Sequence, residues 1–174
     1  RPAARNCLSN DTLTRLDSIV TELVSKSELS TFIFTGCDDI FLSGADIREL
    51  NRLDQEDALQ FAERGQLLFA RVAAAKQRTI AAINGHCIGG GLDFALACDV
   101  RIASPTSEFA HPGARLGIVT GWGGTQRLPR LVGRTRAIEF FITARRLNSA
   151  EALRIGLIHE VDASPLEYAL RLSV

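Results

Sequence analysis

The sequence predicts an α/β domain. Three observations carry this: apolar residues recur at helical spacing near the start, short β-branched and aromatic runs end in glycine, and a succession of strand, glycine turn and helix recurs at least twice. Leu13, Leu16, Ile19, Val20, Leu23 and Val24 share one helix face, with Ser9 or Asn10 placed to cap its start. Thr31 to Thr35 reads as a short buried strand closed by Gly36. After Phe41-Leu-Ser-Gly-Ala-Asp-Ile47, a helix-favouring stretch runs from about Asp54 to Lys76, its apolar stripe made by Leu59, Ala62, Leu67, Leu68 and Val72. A second strand is expected over Thr79 to Asn84, then a turn ending in Gly89, Gly90 and Gly91, then a helical run from Leu92 to Cys98. The third strand, Val100 to Ala103, leads through Phe109 to Gly113 and on to Gly121-Trp-Gly-Gly124 and another helix. Helices are expected near 134 to 144 and 149 to 155, the latter with Ser149 as its cap and Gly156 just past its end.

Composition narrows the class. With 174 residues, 46% hydrophobic and 23% charged, the chain can bury a core without metal or disulfide staples. Twenty Lys and Arg balance twenty Asp and Glu, so the basic surplus of a dedicated nucleic-acid binder is missing. No apolar run approaches the roughly 20 residues that span a bilayer. Cys7, Cys37, Cys87 and Cys98 form no C-x-x-C pair, so reduced, mostly buried thiols are expected and a structural zinc site is not. An intracellular protein, cytoplasmic or mitochondrial, is the expectation. Met is absent even at position 1, which reads as a fragment or processed chain.

The glycine triplet between a buried strand and a helix lets a ligand approach main-chain amides at the positive helix end, an arrangement suited to an oxyanion. Neither glycine turn reads G-x-G-x-x-G, and Gly121-Trp-Gly-Gly-Thr lacks the Gly-Lys-Ser/Thr ending of a phosphate loop. Close packing of helix on strand is the alternative use of such glycines.

Four segments then form an ordered set: Phe41-Leu-Ser-Gly-Ala-Asp-Ile47, Asn84-Gly-His-Cys-Ile-Gly-Gly-Gly-Leu-Asp93, Ala97-Cys-Asp-Val-Arg-Ile-Ala103 and Gly121-Trp-Gly-Gly-Thr-Gln-Arg-Leu-Pro129. Together they resemble the enoyl-CoA hydratase/isomerase, or crotonase, family over nearly the whole chain. The resemblance implies a crotonase-like spiral of repeated ββα units. It also implies a single core domain, 1–174, lacking the family's first strands and its C-terminal trimerisation helices. Homotrimers or hexamers are the implied assembly, an acyl-CoA thioester the implied partner, and coenzyme A enters only as part of the substrate, with no permanently bound cofactor and no metal.

Position by position, the resemblance places oxyanion-hole amides at Ala45 and Gly90. It places substrate contacts at Ser43, Gly44, Ala45, Asp46, Ile47, Gly89, Gly90 and Trp122. The family's two catalytic glutamates fall at Asp93, one methylene shorter, and at Gly113, where no side chain exists. Asp93 reads equally as a catalytic base and as a partner of the helix dipole. Gly113 leaves room for water, bicarbonate or a substrate carboxylate; some relatives that form dihydroxynaphthoyl-CoA carry glycine there and use bicarbonate. His111, two residues away in an extended segment, shares a face with position 113, although packing is its expected role. His86 and Cys87 face opposite ways in a strand and are expected to pack rather than to form a nucleophile pair. Asp46 and Asp99 read as structural, and Arg48 as either a phosphate contact or an exposed helix arginine. Hydration of a 2-enoyl-CoA is the function this predicts. A decarboxylase, a carbon–carbon bond enzyme or a non-catalytic acyl-CoA-binding subunit are the alternatives.

Overall fold

The computed structural model describes residues 1–173; Val174, the last position of the expected domain, lies outside them. A 3₁₀ turn, Pro2–Ala4, precedes α1 (Asn10–Ser25), whose N-cap is Ser9: its side chain accepts the Thr12 amide hydrogen. Next come β1 (Thr31–Thr35), β2 (Ile40–Leu42), the short α2 (Ile47–Leu50) and α3 (Gln55–Ala73), capped by Asp54. The middle of the chain holds β3 (Arg78–Ile83), β4 (His86–Ile88), α4 (Gly90–Ala97), β5 (Val100–Ala103) and β6 (Glu108–Ala110). A 3₁₀ turn, Pro112–Leu116, leads to α5 (Gly124–Val132), α6 (Arg134–Thr143), β7 (Arg146–Asn148), α7 (Ser149–Arg154), β8 (Glu160–Val161) and α8 (Pro165–Leu172).

The strands divide between two sheets. β1, β3, β5 and β8 form one parallel sheet; β2, β4, β6 and β7 form a second, parallel except for the antiparallel β6–β7 pair. Each repeat therefore lays one strand in each sheet before its helix returns, which is the crotonase-like spiral of ββα units that the sequence predicts. The expected strands and helices lie where the patterning puts them, with one cap displaced. α7 is capped by Asn148, whose side chain accepts the Glu151 amide hydrogen, because the Ser149 hydroxyl is turned inward to the carbonyls of Ser104 and Ser107.

α4 sits at the centre of the spiral. Residues 91 to 97 are all buried, and the helix is apolar all round except for Asp93. A helix with that composition belongs inside, sheathed by other elements. Phe94 anchors it, 4.9 Å from the Phe34 ring and 5.3 Å from the Phe69 ring in edge-to-face contacts, with Phe41 at 6.5 Å. Shortening Phe94 to alanine opens a cavity where four elements meet. Phe94→Ala is expected to cost about 3–5 kcal/mol, seen as a lower urea midpoint at unchanged slope.

Candidate active site

The chain enters the site through a strap between β2 and α2. Leu8 forms a parallel bridge to it: the Leu8 amide donates to Gly44 O at 2.8 Å, and the Asp46 amide donates to Leu8 O at 3.1 Å. Ala45, between these two bonds, has its own N–H on the other side of the strap, where it meets no acceptor among the described residues. Opposite lies the start of α4. Gly90 is its first residue, and like any first-turn amide its N–H has no intrahelical acceptor. The two amides are neighbours. A methyl built on Gly90 would stand 3.6 Å from the Ala45 nitrogen, and one on Gly44 would stand 3.1 Å from the Gly90 nitrogen.

Gly90 has a steric reason to be glycine as well: its Cβ would lie 2.3 Å from the Trp122 ring. That indole is itself fixed. It is buried, packs tilted against Phe61 at 5.1 Å and edge-to-face against Phe69 at 5.6 Å, and donates through Nε1 to Phe61 O at 3.3 Å.

Both amides border a cavity of about 490 Å³, within the usual size of small-molecule sites. Its wall includes Ser43, Gly44, Ile47 and Gly89, and it extends over Phe61, Trp122, Ile118 and Phe141. Of the eight residues expected to contact substrate, seven lie on this wall and Asp46 does not. Asp46 works behind the strap. Its carboxylate caps α2 by accepting the Arg48 amide hydrogen, takes two further bonds from the Arg48 guanidinium at 3.0 and 3.1 Å, and accepts the Cys7 thiol hydrogen at 3.3 Å. The guanidinium holds the Asp46 carboxyl well below the usual carboxylate range, while burial and then the neighbouring Asp46 push the Cys7 thiol up. Arg48 itself is three-quarters exposed.

The acids differ from expectation in two ways. Asp93 is fully buried and is not on the cavity wall. Its Oδ1 lies 3.2 Å from His111 Nε2, its Oδ2 accepts the Thr120 hydroxyl hydrogen, and a Cβ on Gly124 would strike Oδ1 at 2.0 Å. His111 and Thr120 stand on the wall in its place. His111 is packed, as expected, against Phe140 and Phe141 at 5.9 and 5.1 Å, yet it also borders the cavity, which its sequence context did not require. Gly113 is on the wall too, but the space for a side chain there is filled. A Cβ would come 2.5 Å from Ile118 O, in a loop closed by the Ile118 amide donating to Gly113 O at 3.0 Å. The vacancy expected beside Gly113 is thus occupied by main chain.

The remaining candidates are structural. Asp99 Oδ2 accepts from the Thr79 amide and hydroxyl, tying the start of β5 to β3. Cys87 is buried, its thiol pushed up mainly by burial, whereas the His86 ring faces Glu108 at 3.3 Å. Among the described residues there is no cluster of three metal-ligating side chains and no helix long and apolar enough to cross a membrane.

Comparison with known proteins agrees with this geometry. A family profile for enoyl-CoA hydratase/isomerase matches residues 1–169. The chain is 41% identical over 162 residues to a short-chain-enoyl-CoA hydratase of Clostridium acetobutylicum, and 42% identical over 162 residues to a crotonyl-CoA hydratase of Syntrophomonas wolfei. Each match covers 92% of this chain and 62% of the relative, so the chain spans under two thirds of the length of these curated relatives. A crystal structure of an enoyl-CoA hydratase from Bacillus anthracis superposes with a TM-score of 0.95 at 35% identity, covering 99% of this chain and 68% of that one. The chain belongs to the enoyl-CoA hydratase/isomerase family.

Proposed function

We propose that the protein binds an acyl-CoA thioester and stabilises its enolate between the Ala45 and Gly90 amides, and that the reaction so served is hydration of a short-chain 2-enoyl-CoA. The observation that carries this reading is the pair of adjacent, unbonded N–H groups at one apolar cavity. Hydration of a conjugated thioester places negative charge on the carbonyl oxygen, and preorganised donors in a site of low polarity stabilise that charge without reorganising. An apolar wall suits a short acyl chain, and the names of the relatives match this chemistry. Coenzyme A is part of the substrate, and assembly as a homotrimer or hexamer belongs to the same reading.

One observation favours a second reading. The position of the second family glutamate is Gly113, with Ile118 O in the way of any side chain. A decarboxylase or carbon–carbon bond enzyme uses the same oxyanion pair with fewer acids, and a non-catalytic subunit uses it to bind alone. A panel of crotonyl-, malonyl- and butyryl-CoA separates these, with loss of the enoyl absorbance reporting hydration.

Proline at position 45 deletes one donor while keeping a residue that has a Cβ. Ala45→Pro is expected to lower kcat for crotonyl-CoA about 10²–10³-fold with little change in unfolding midpoint; undiminished turnover would remove the oxyanion role from Ala45. The strap gives a separate prediction. A carboxyl held below its ordinary value stabilises the fold above that value, about 4, and loses its contribution as pH falls from there. Asp46→Asn is therefore expected to be less stable than the parent at pH 7, with the gap closing below about pH 4, as followed by thermal unfolding at both pH values.

A further inference from the structure

We infer that His111 is the group that moves the proton in this cavity, with Asp93 as the residue that positions it. The inference rests on the enolate reading above and adds the acid–base partner which that reading lacks.

Four observations place the histidine. It is the one imidazole on the cavity wall. It lies beside the oxyanion amides through the sheet: β4 pairs with β6, Ile88 opposite Ala110, and the Gly89 amide donates to Ala110 O at 2.8 Å, so His111 follows directly on the residue bonded to the glycine turn. Its Nε2 is fully buried and 3.2 Å from Asp93 Oδ1, which leaves Nδ1 as the nitrogen available to a group in the cavity. The ring N–H is not aligned on that carboxylate oxygen, so both atoms lack a hydrogen-bond partner among the described residues. Such bonds are often loose before substrate binds and tighten in the reacting complex.

Asp93 has no comparable access. It is a charged side chain at 0% exposure in an otherwise apolar helix, and a buried carboxylate needs partners. Its hydrogen-bond partner here is Thr120, and the His111 ring lies 3.2 Å from its other oxygen. Beyond it, Arg127 of α5 and Cys87 of β4 are close enough to feel its charge, while α6 presents only the Phe140 and Phe141 rings to the imidazole. Negative charge on one side and aromatic rings on the other favour a ring whose tautomer is set by Asp93, as a carboxylate sets the imidazole in other Asp–His pairs. A carboxylate one methylene shorter than the family's glutamate stops short of the cavity, and the imidazole spans the remaining distance.

The step balances with water as the only co-reactant. Nδ1 of neutral His111 takes one proton from water as the water oxygen bonds to C3. The C2=C3 pair moves to form the enolate, whose oxygen is held by the amides of Ala45 and Gly90. The imidazolium then returns the same proton to C2, the thioester carbonyl re-forms, and the histidine is neutral again.

The test uses the full chain with crotonyl-CoA turnover and, separately, calorimetric binding of butyryl-CoA. His111→Gln is expected to lower kcat about 10²–10⁴-fold while butyryl-CoA still binds as in the parent. Asp93→Asn is expected to lower kcat by less than His111→Gln does, at unchanged KM, because the residue positions the imidazole and not the substrate. Turnover by His111→Gln at the parental rate overturns the role of His111, and an Asp93→Asn variant with parental kcat, or with its loss in KM alone, overturns the positioning role of Asp93. A parent chain that binds butyryl-CoA but hydrates nothing overturns the proton transfer and leaves the binding site standing. A parent that binds no thioester overturns both readings. Should His111→Gln fail to fold, Asp93→Asn and its division between kcat and KM decide alone.

Discussion

Two main-chain N–H groups can stay free at the same spot only if the backbone carrying each is satisfied everywhere else. On the Ala45 side this follows from strand alternation. Leu8 takes Gly44 O and gives its own carbonyl to Asp46, and the residue between two such bonds turns its amide away. At Gly90 it follows from helix geometry, since the first amides of any helix have no carbonyl behind them. Neither donor is strained into isolation. A strap and a helix start, each ordinary, are brought side by side, and the open cavity lets solvent or ligand satisfy the pair where a sealed interior would charge about 1–3 kcal/mol for each.

The same constraint explains how much packing surrounds so small a feature. Trp122 lies against Gly90 and is held by Phe61 and Phe69, so the glycine turn cannot shift toward α3. Asp46 ties the strap to α2 and to Cys7 with four hydrogen bonds of one carboxylate, so Ala45 cannot swing outward. Phe94, deeper in α4, fixes the helix whose first turn carries the second donor. Stability and chemistry share residues here because the donors are main chain and can be aimed only by placing whole elements.

Much of this was legible before any coordinates. The β-branched run at Thr31 to Thr35, the apolar stripe of α1 and its cap, Ser9 of the two residues offered, have local causes, and each appears where local reasoning puts it. The strands that sequence patterning missed are short: β2, β6 and β7 have three residues and β8 has two, too few for period-two alternation to register. β4 is also three residues: His86 and Cys87 read as adjacent strand positions, but the strand has no bounds in the sequence because Gly85 and Gly89 dominate the local signal. Ser149 lost its cap to Asn148 for a tertiary reason, the pull of two carbonyls from the β5–β6 loop. In the site, Ala45, Gly90 and Trp122 were visible as motif positions. The Asp93–His111 contact was not, because it joins α4 to the segment after β6, and nothing in either stretch records the 3.2 Å between them.

Gly113 shows why the position of an acid cannot be inferred from a gap in a motif. Reading Asp93 and Gly113 alone, one carboxylate is short and the other deleted, and the deletion looks like room for a small anion. In the fold, the 3₁₀ turn Pro112–Leu116 folds back until Ile118 donates to Gly113 O and sets its own carbonyl where the side chain would begin. A glutamate at 113 would have to open that turn, and the turn also carries Leu116 and Ile118 to the cavity wall. A residue upstream of the turn stands on backbone still held by the β6 ladder, and the role proposed for His111 fits that place: it follows Ala110, the last ladder position, and precedes the proline that starts the turn.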